Sequence, residues 1–249
     1  MLNNLVLGAI GLNVLALIFV VLRARIYRTS LYRPMILNIG LSIAPIFMLI
    51  IALFAVTFLT SQTATGHLSA WVTISGYLIV ACLWLAWLLM LPNSSYLITE
   101  LNLSHRQEQD PVPLWFDIIL VLTLAISGVT NMVINIGLVQ IVYAALRFPD
   151  SAMWASLARP ESTLLALGII ALCAVGMYLG RYLRLNSWDI KHPVGFLRRL
   201  AKHFDSVRVV RNAAGFVLAH TIFIALVYYI IMGGIITAGG MLDALRAAI

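Results

Sequence analysis

The sequence predicts an all-α integral membrane protein, a polytopic bundle of about six transmembrane helices. Of its 249 residues, 62% are hydrophobic and only 10% are charged, whereas soluble domains contain roughly 25% charged residues. The apolar runs are continuous, while the strands of a membrane β-barrel would alternate with period two. Long helices that cross a bilayer therefore explain the composition. We expect residues 1–249 to form a single integral membrane domain.

Six segments approach or exceed the roughly 20 apolar residues that one crossing requires. The first segment has no basic residue before it and no small-residue cleavage site after it, so we expect a retained span and not a signal peptide. Cys82 and Cys173 lie inside spans, which predicts small hydrophobic side chains and neither a disulfide nor a zinc site. The six segments cover residues 3–22, 35–59, 70–91, 114–141, 163–180 and 213–236.

The distribution of basic residues predicts the orientation of the chain in the membrane. Most of the 16 Lys and Arg residues lie in the loops after the first, third and fifth spans, and only Arg147, Arg159 and Arg246 lie in the other connections. Because Lys and Arg accumulate in cytoplasmic loops, we expect a multi-pass protein of the plasma membrane with both termini outside. A tag at Gln62 is then labelled from outside the cell, and a tag at Gln107 only after permeabilisation.

The net charge of +7 does not by itself predict nucleic-acid binding. Anionic lipid of the inner leaflet attracts basic loops by about 1 kcal/mol per side chain near the surface, and this explains the charge. The sequence also contains no Walker loop, dinucleotide fingerprint, HExxH or GxSxG motif. Membrane lipid, above all anionic inner-leaflet lipid, is the predicted partner. Nucleic acid is not expected, and the sequence identifies no protein partner.

Three spans contain polar or helix-bending residues at membrane depth. Pro45 removes a backbone donor from the second span and is expected to kink it. In the fourth span, Ser127, Asn131 and Asn135 recur every four residues and form a stripe that should face protein. The stripe either supplies hydrogen bonds between helices or lines a transport path. His220 in the sixth span is either a functional ionisable group or the donor of one interhelical hydrogen bond.

The fifth connection predicts an amphipathic helix over residues 194–210, which read VGFLRRLAKHFDSVRVV. Apolar side chains recur there at i, i+3 and i+4 spacing, while Arg198, Arg199 and Lys202 lie on other faces. Such a helix lies in the inner head-group layer. It either anchors the chain to the membrane or holds the head group of a lipid substrate on its basic face.

The end of the third span reads LPNSSYLITELNL. Pro92 is expected to end the span, and a side chain within Asn93–Ser95 is expected to accept hydrogen bonds from the first amides of a new helix. Residues 96–104 are too few to cross the bilayer, so this helix either lies at the interface or dips back into the membrane. Glu100 and Ser104 would share one of its faces.

A polar layer is predicted where the cytoplasmic ends of the third to sixth spans meet. Asp117 lies in the first turn of the fourth span, where a carboxylate meets the helix dipole favourably. Charges near the apolar boundary are costly unless they are paired, so we expect Arg181 or Arg184 to form an ion pair. The partner would be Asp117 or Glu100. The layer comprises Asn93, Glu100, His105, Asp117, Arg181, Arg184, Asn186, Asp189 and His192.

Two roles are assigned among the residues of this face. General acid-base chemistry, or the binding of one divalent metal, uses carboxylates and imidazoles, and the catalytic candidates are Glu100, His105, Asp117 and Asp189. Recognition of a head group uses hydrogen-bond donors and interfacial aromatic rings, and the candidates are Asn93, Tyr96, Arg181, Arg184, Asn186, Trp188 and His192. Asn186 and Asp189 also resemble a capping box. The spacing matches no metal-site signature, so the sequence identifies neither a metal nor a cofactor.

Several of these stretches resemble a protein family. LPNSSYLITEL, the following His105, PLWFD and GRYLRLNSWD resemble segments of the bacterial integral membrane family called domain of unknown function 1361. The resemblance covers about residues 40–235. Ser94-Ser95 stands where the family often has Ala-Pro, and Glu100 stands where it often has Asp, which keeps the carboxylate. The resemblance implies a polytopic membrane protein and supports the choice of residues, but it names no reaction.

Three functions are compatible with the sequence, and whether the chain is an enzyme is left open. The first is a membrane-embedded enzyme that acts at the cytoplasmic interface on a lipid or a lipid-linked molecule. The second is a carrier for a small solute, with Asn131, Asn135 and His220 as its midplane site, although no inverted repeat is evident. The third is a non-catalytic membrane subunit whose polar layer is a structural ion-pair network that recruits a partner.

Overall fold

The computed structural model describes residues 2–66, 69–99, 111–183 and 193–248. Over these ranges all regular secondary structure is helical, and no strand occurs. The all-α fold class predicted from the sequence is therefore confirmed.

The described part of the chain contains long helices joined by short ones. The long helices are α1 (Leu2–Ile26), α2 (Arg33–Ala64), α3 (Ala70–Met90), α5 (Leu114–Arg147), α7 (Pro160–Leu183) and α9 (Val207–Tyr228). The shorter helices are α4 (Pro92–Thr99), α6 (Met153–Leu157), α8 (Pro193–His203) and α10 (Gly234–Ala247), and a π-helical segment (Tyr229–Gly233) joins α9 to α10.

Six helical stretches of the described chain are long and apolar enough to cross a membrane, and each contains one of the six predicted spans. The chain is thus a multi-pass membrane protein. The sixth stretch is longer than predicted because α9, the π-helical segment and α10 follow one another without a break. The stretches are Asn3–Ile26, Arg33–Ala64, Ala70–Ile98, Leu114–Arg147, Pro160–Leu183 and Val207–Leu245.

The chain divides into two compact units. The first unit comprises Leu15–Asn131, and the second comprises Met1–Val14 together with Met132–Ile249. The boundaries fall inside α1 and α5, so these two helices contribute residues to both units. The single domain expected over residues 1–249 stays a prediction.

The core of the first unit consists of buried side chains from four helices. On three of these helices the contributing residues are spaced by four, so each pair lies on one helical face. The residues are Ala16 and Val20 on α1, Met35 and Ile39 on α2, Leu97 on α4, and Leu120 and Leu124 on α5. Burial of this cluster holds α4 against the three longer helices.

Hydrogen bonds join α4 to α2 and α2 to α5. The Ser94 hydroxyl donates to the Ser42 carbonyl at 2.8 Å, and the Ser42 hydroxyl donates to the Ser94 carbonyl at 3.0 Å. Asn131 of α5 donates from Nδ2 to the Ser42 hydroxyl at 2.9 Å. Gly128 allows close approach of α5 to α4, because a Cβ there would lie only 2.5 Å from the Ser94 carbonyl oxygen.

These contacts locate α4 along the neighbouring helix α5. Asn131 is far from the start of α5 at Leu114, roughly 25 Å along the axis at 1.5 Å per residue. The Ser42–Ser94 pair lies at the same level, because Asn131 contacts it directly. The Ser94 end of α4 is therefore packed against α2 and α5 in the interior of the first unit, and the position of α4 relative to the membrane surface stays a prediction.

The cap predicted for α4 is wrong. Helix α4 begins at Pro92, a residue that suits the first helical position, so Asn93–Ser95 lie inside the first turn. The hydroxyls of Ser94 and Ser95 donate to carbonyls and do not accept from the first amides, since Ser95 bonds to the Pro92 carbonyl at 3.2 Å. The predicted pairing of Glu100 with Ser104 on one face lies outside the described residues.

In the second unit, α7, α8 and α9 meet in an aromatic cluster centred on Tyr178. The Tyr178 hydroxyl lies 2.9 Å from Nε2 of His203 in the last turn of α8. The Tyr178 ring packs against Tyr182, Phe204 and Phe216 with centroid distances of 4.6, 6.0 and 5.6 Å. The hydrogen bond and the ring contacts tie the end of α8 to α7.

The amphipathic helix predicted over residues 194–210 is two helices. Helix α8 ends at His203 and α9 begins at Val207. Ser206 caps α9, because its hydroxyl accepts from the Val209 amide at 3.3 Å. The apolar spacing continues through both helices and therefore conceals the break, while the serine before Val207 is the helix-start signal that would have revealed it.

Candidate functional site

An ion pair joins the end of α1 to the start of α5. Arg23 lies in the last turn of α1 and Asp117 in the first turn of α5. Nε of Arg23 donates to Oδ1 of Asp117 at 2.8 Å. The Asp117 side chain is 7% exposed and that of Arg23 is 25% exposed. A carboxylate this buried requires a partner, and Arg23 supplies the opposite charge.

Thr29 holds the turn between α1 and α2 against the same arginine. Its hydroxyl donates to the Arg23 carbonyl at 3.2 Å and accepts from Nη1 of Arg23 at 3.4 Å. Arg28, immediately before it, has a φ of 55°. This left-handed conformation costs a residue other than glycine about 1–2 kcal/mol. The reversal brings the Thr29 hydroxyl to the Arg23 carbonyl, which also accepts from the Tyr27 amide at 3.3 Å.

Aromatic rings of α1, of the residue after it and of α5 pack together next to Asp117 in the chain. Phe116, which precedes Asp117, is buried and makes edge-to-face contacts with Phe19 and Tyr27 at centroid distances of 5.5 and 5.3 Å. Trp115 contacts the same ring at 5.6 Å. These ring contacts fix the first turn of α5, and with it the position of Asp117. Because the Asp117 side chain is buried, its attraction to Arg23 is stronger than at an open surface.

The structure describes four of the predicted site residues. Asn93 and Tyr96 lie half-buried on α4, Asp117 is buried on α5, and Arg181 is exposed in the last turn of α7. The first three belong to the first unit, and Arg181 belongs to the second. The other predicted site residues lie outside the described residues: Glu100, His105, Arg184, Asn186, Trp188, Asp189 and His192.

Sequence reasoning missed Arg23 as a partner of Asp117. It counted Arg23 only as a basic residue of the first loop and expected Arg181 or Arg184 to be the partner. A signal was available, because the end of the first span and the start of the fourth were both expected at the cytoplasmic face. The pairing of Asp117 or Glu100 with an arginine of the fifth span stays a prediction.

The polar residues at membrane depth are buried. Ser127, Asn131 and Asn135 are each at most 1% exposed, which confirms that the stripe faces protein. The bond from Asn131 to Ser42 joins two helices, as the hydrogen-bonding alternative expects. Nδ1 of His220 lies 2.8 Å from the carbonyl oxygen of Phe216, one turn earlier in α9, so this bond is within a helix and not between helices.

The described residues offer ion pairing and hydrogen bonding at the Arg23–Asp117 cluster. Within the described ranges, no group of three His, Cys, Asp or Glu side chains is placed to hold a metal ion. Three of the four catalytic candidates lie outside those ranges, so the identity of a metal or cofactor stays open.

Comparison with other proteins agrees with the resemblance seen in the sequence. No curated protein and no solved structure matches the chain. A family model described as Protein of unknown function (DUF1361) matches residues 37–227, which extend from the start of α2 to the end of α9. The match covers well over half of the chain. The chain therefore belongs to the family described as Protein of unknown function (DUF1361).

Proposed function

We propose that this membrane protein binds an anionic lipid or a lipid-linked molecule at its cytoplasmic face and acts on it there. The observation that carries the proposal is the buried ion pair between Arg23 and Asp117. It lies at the ends of two membrane-length helices, the level at which lipid head groups lie. In the proposed reaction this carboxylate would exchange a proton with a head group.

The amphipathic helix α8 supports a lipid partner independently. Arg198, Arg199 and Lys202 are exposed, and the hydrogen bond between His203 and Tyr178 fixes the helix to α7. Basic amphipathic helices bind to interfaces that contain anionic lipid. Helix α8 would therefore hold its basic face in the inner head-group layer.

The roles within the proposal follow the residue chemistry. Asp117, with Glu100, His105 and Asp189, supplies the acid-base groups. Head-group recognition is assigned to Asn93, Tyr96, Arg181, Arg184, Asn186, Trp188 and His192. The orientation toward the cytoplasm rests on the distribution of Lys and Arg along the chain.

The proposal is tested on the full chain purified in a mild detergent. Native mass spectrometry and elemental analysis compare the wild type with Asp117→Asn and His105→Ala, and thermal unfolding reports whether each variant is folded. Asparagine still accepts a hydrogen bond from Arg23, so Asp117→Asn should fold. We expect a co-purified lipid in the wild type and a reduced amount in the folded variants. No retained lipid, together with unfolded variants, would instead indicate a non-catalytic subunit with a structural ion pair.

A carrier for a small solute is less well supported by the described residues. Asn131 donates a hydrogen bond to the Ser42 hydroxyl. One ring nitrogen of His220 is within hydrogen-bond distance of the Phe216 carbonyl oxygen of its own helix. These groups therefore stabilise helices and are not left open for a solute.

A further inference from the structure

We propose that the turn between α1 and α2 is a binding site for the phosphate group of an anionic membrane lipid. The site, named here the arginine turn, consists of Arg25, Arg28 and Arg33 with the backbone of residues 26–32. This inference rests on the proposed function, because it names the chemical group by which the lipid is held. It adds residues that the sequence indicated only as basic residues of a loop.

The described residues of the first unit carry more positive than negative charges. Its described residues contain one carboxylate, Asp117, and four arginines. Asp117 is bound by Arg23. The arginine turn therefore faces no other carboxylate among the described residues of its unit. All three of its arginines are exposed, so an anion from outside the protein can reach them.

The backbone of Arg28 adopts a left-handed conformation. Its φ of 55° lies in the region that glycine adopts without strain, yet the position holds an exposed arginine. Strained residues of this kind cluster at ligand-binding sites, where the surrounding structure maintains them. Here the two hydrogen bonds between Thr29 and Arg23 maintain the turn. Arg23 is itself held by its ion pair with Asp117. Because Thr29 is bonded to Arg23, these contacts hold the arginine turn in one conformation.

The arginine turn combines cationic and apolar side chains, and this combination favours a lipid phosphate over free phosphate. The guanidinium group binds phosphate oxygens in a bidentate manner. Exposed apolar side chains lie between the arginines in the chain: Ile26, which is 59% exposed, Leu31 and Tyr32. Exposed apolar side chains beside the cations match the acyl chains of a lipid, whereas free phosphate would make no contact with them.

The site is tested by native mass spectrometry of the full chain in mild detergent with added phosphatidic acid. The buffer contains about 0.2 M ammonium acetate, which screens attraction between exposed charges beyond about 7–8 Å. The variants are Arg28→Gly, Arg28→Lys and Arg211→Ala. Arg211 is an exposed arginine near the start of α9 in the second unit, so its removal lowers the net charge by the same amount but changes no residue of the arginine turn.

We expect Arg28→Gly to weaken binding of phosphatidic acid about tenfold, Arg28→Lys to weaken it less, and Arg211→Ala to change it less than about twofold. Arg28→Gly should remain folded, because glycine adopts the left-handed conformation without strain. Equal losses for Arg28→Gly and Arg211→Ala would overturn the site in favour of diffuse attraction. Displacement of the lipid by an equal concentration of inorganic phosphate would overturn the lipid as its ligand.

Failure of this inference is distinguishable from failure of the proposed function. If Asp117→Asn loses the co-purified lipid while Arg28→Gly retains affinity for phosphatidic acid, the proposed function stands and the arginine turn is not the phosphate site. If Arg28→Gly loses affinity while Asp117→Asn retains its co-purified lipid, the phosphate site stands and the role of Asp117 is wrong.

Discussion

At the scale of single residues, the candidate site is defined by the ion pair between Arg23 and Asp117. The Asp117 side chain is almost fully buried, while the Arg23 side chain is a quarter exposed. Breaking a fully buried pair costs about 3–5 kcal/mol, and exposed pairs contribute about 0–1 kcal/mol. The partial exposure of Arg23 places the expected coupling between these limits.

A double-mutant cycle with Arg23→Ala and Asp117→Ala measures this coupling. We expect an interaction free energy of about 1–2 kcal/mol, read from unfolding of the detergent-solubilised chain. Arg25→Ala combined with Asp117→Ala is the matched control, since Arg25 is exposed on the same turn of α1. Coupling as small as that of the control pair would show that the contact does not stabilise the site.

The sequence identifies some single residues well and others poorly. Asp117 is recognisable as a candidate site residue, because a carboxylate at the start of a membrane span either interacts with the helix dipole or has a functional role. Its partner Arg23 is remote in the chain, and an ion pair of that kind depends on which helices pack together. Ser94 and Ser95 are misassigned for a local reason, because hydroxyls that can accept from amides can equally donate to carbonyls.

At the scale of helices, the close packing of α4 on α5 depends on Gly128. A Cβ at this position would lie 2.5 Å from the Ser94 carbonyl oxygen, a backbone atom that cannot rotate away. Gly128→Ala should therefore destabilise the protein by about 1–3 kcal/mol. Thermal unfolding in detergent measures the change.

Gly168→Ala is the matched control for Gly128→Ala. Gly168 lies inside α7 with no other side chain or backbone near its missing Cβ. Alanine there should be neutral or should stabilise the helix by about 0.5–1 kcal/mol. Equal effects of the two substitutions would show that α4 does not pack on α5 as described.

Helix boundaries were predictable where composition changes and were not where it stays constant. The end of α3 is predictable because Pro92 interrupts the apolar run, but the start of α4 at Pro92 itself is not, since the polar residues after it suggest a later cap. The break between His203 and Val207 was missed because apolar spacing continues on both sides of it. The depth of α4 was left open, since eight residues that contain both serines and leucines fit an interface as well as a packed interior.

At the scale of the whole molecule, the six membrane-length stretches were predictable from the chain alone. Each needs a long apolar run, and a bilayer permits few alternatives for such a run. The division into two units was not predictable, because apolar side chains that face lipid and those that face protein are chemically similar. Contacts such as those of Ser42 and Gly128 depend on helix pairing.

The orientation of the chain is the most direct test of the proposed cytoplasmic site. Single cysteines replace Ser30, which is exposed in the α1–α2 turn, and Gln62, near the end of α2. Cys82→Ala is the background, because Cys82 is exposed while Cys173 is buried. A membrane-impermeant maleimide is applied to intact and to permeabilised cells.

We expect Gln62→Cys to be labelled in intact cells and Ser30→Cys to be labelled only after permeabilisation. That result would place the Arg23–Asp117 pair and the arginine turn at the inner leaflet, where anionic lipid is abundant. Labelling of Ser30→Cys in intact cells, with protection of Gln62→Cys, would contradict the cytoplasmic placement of the site.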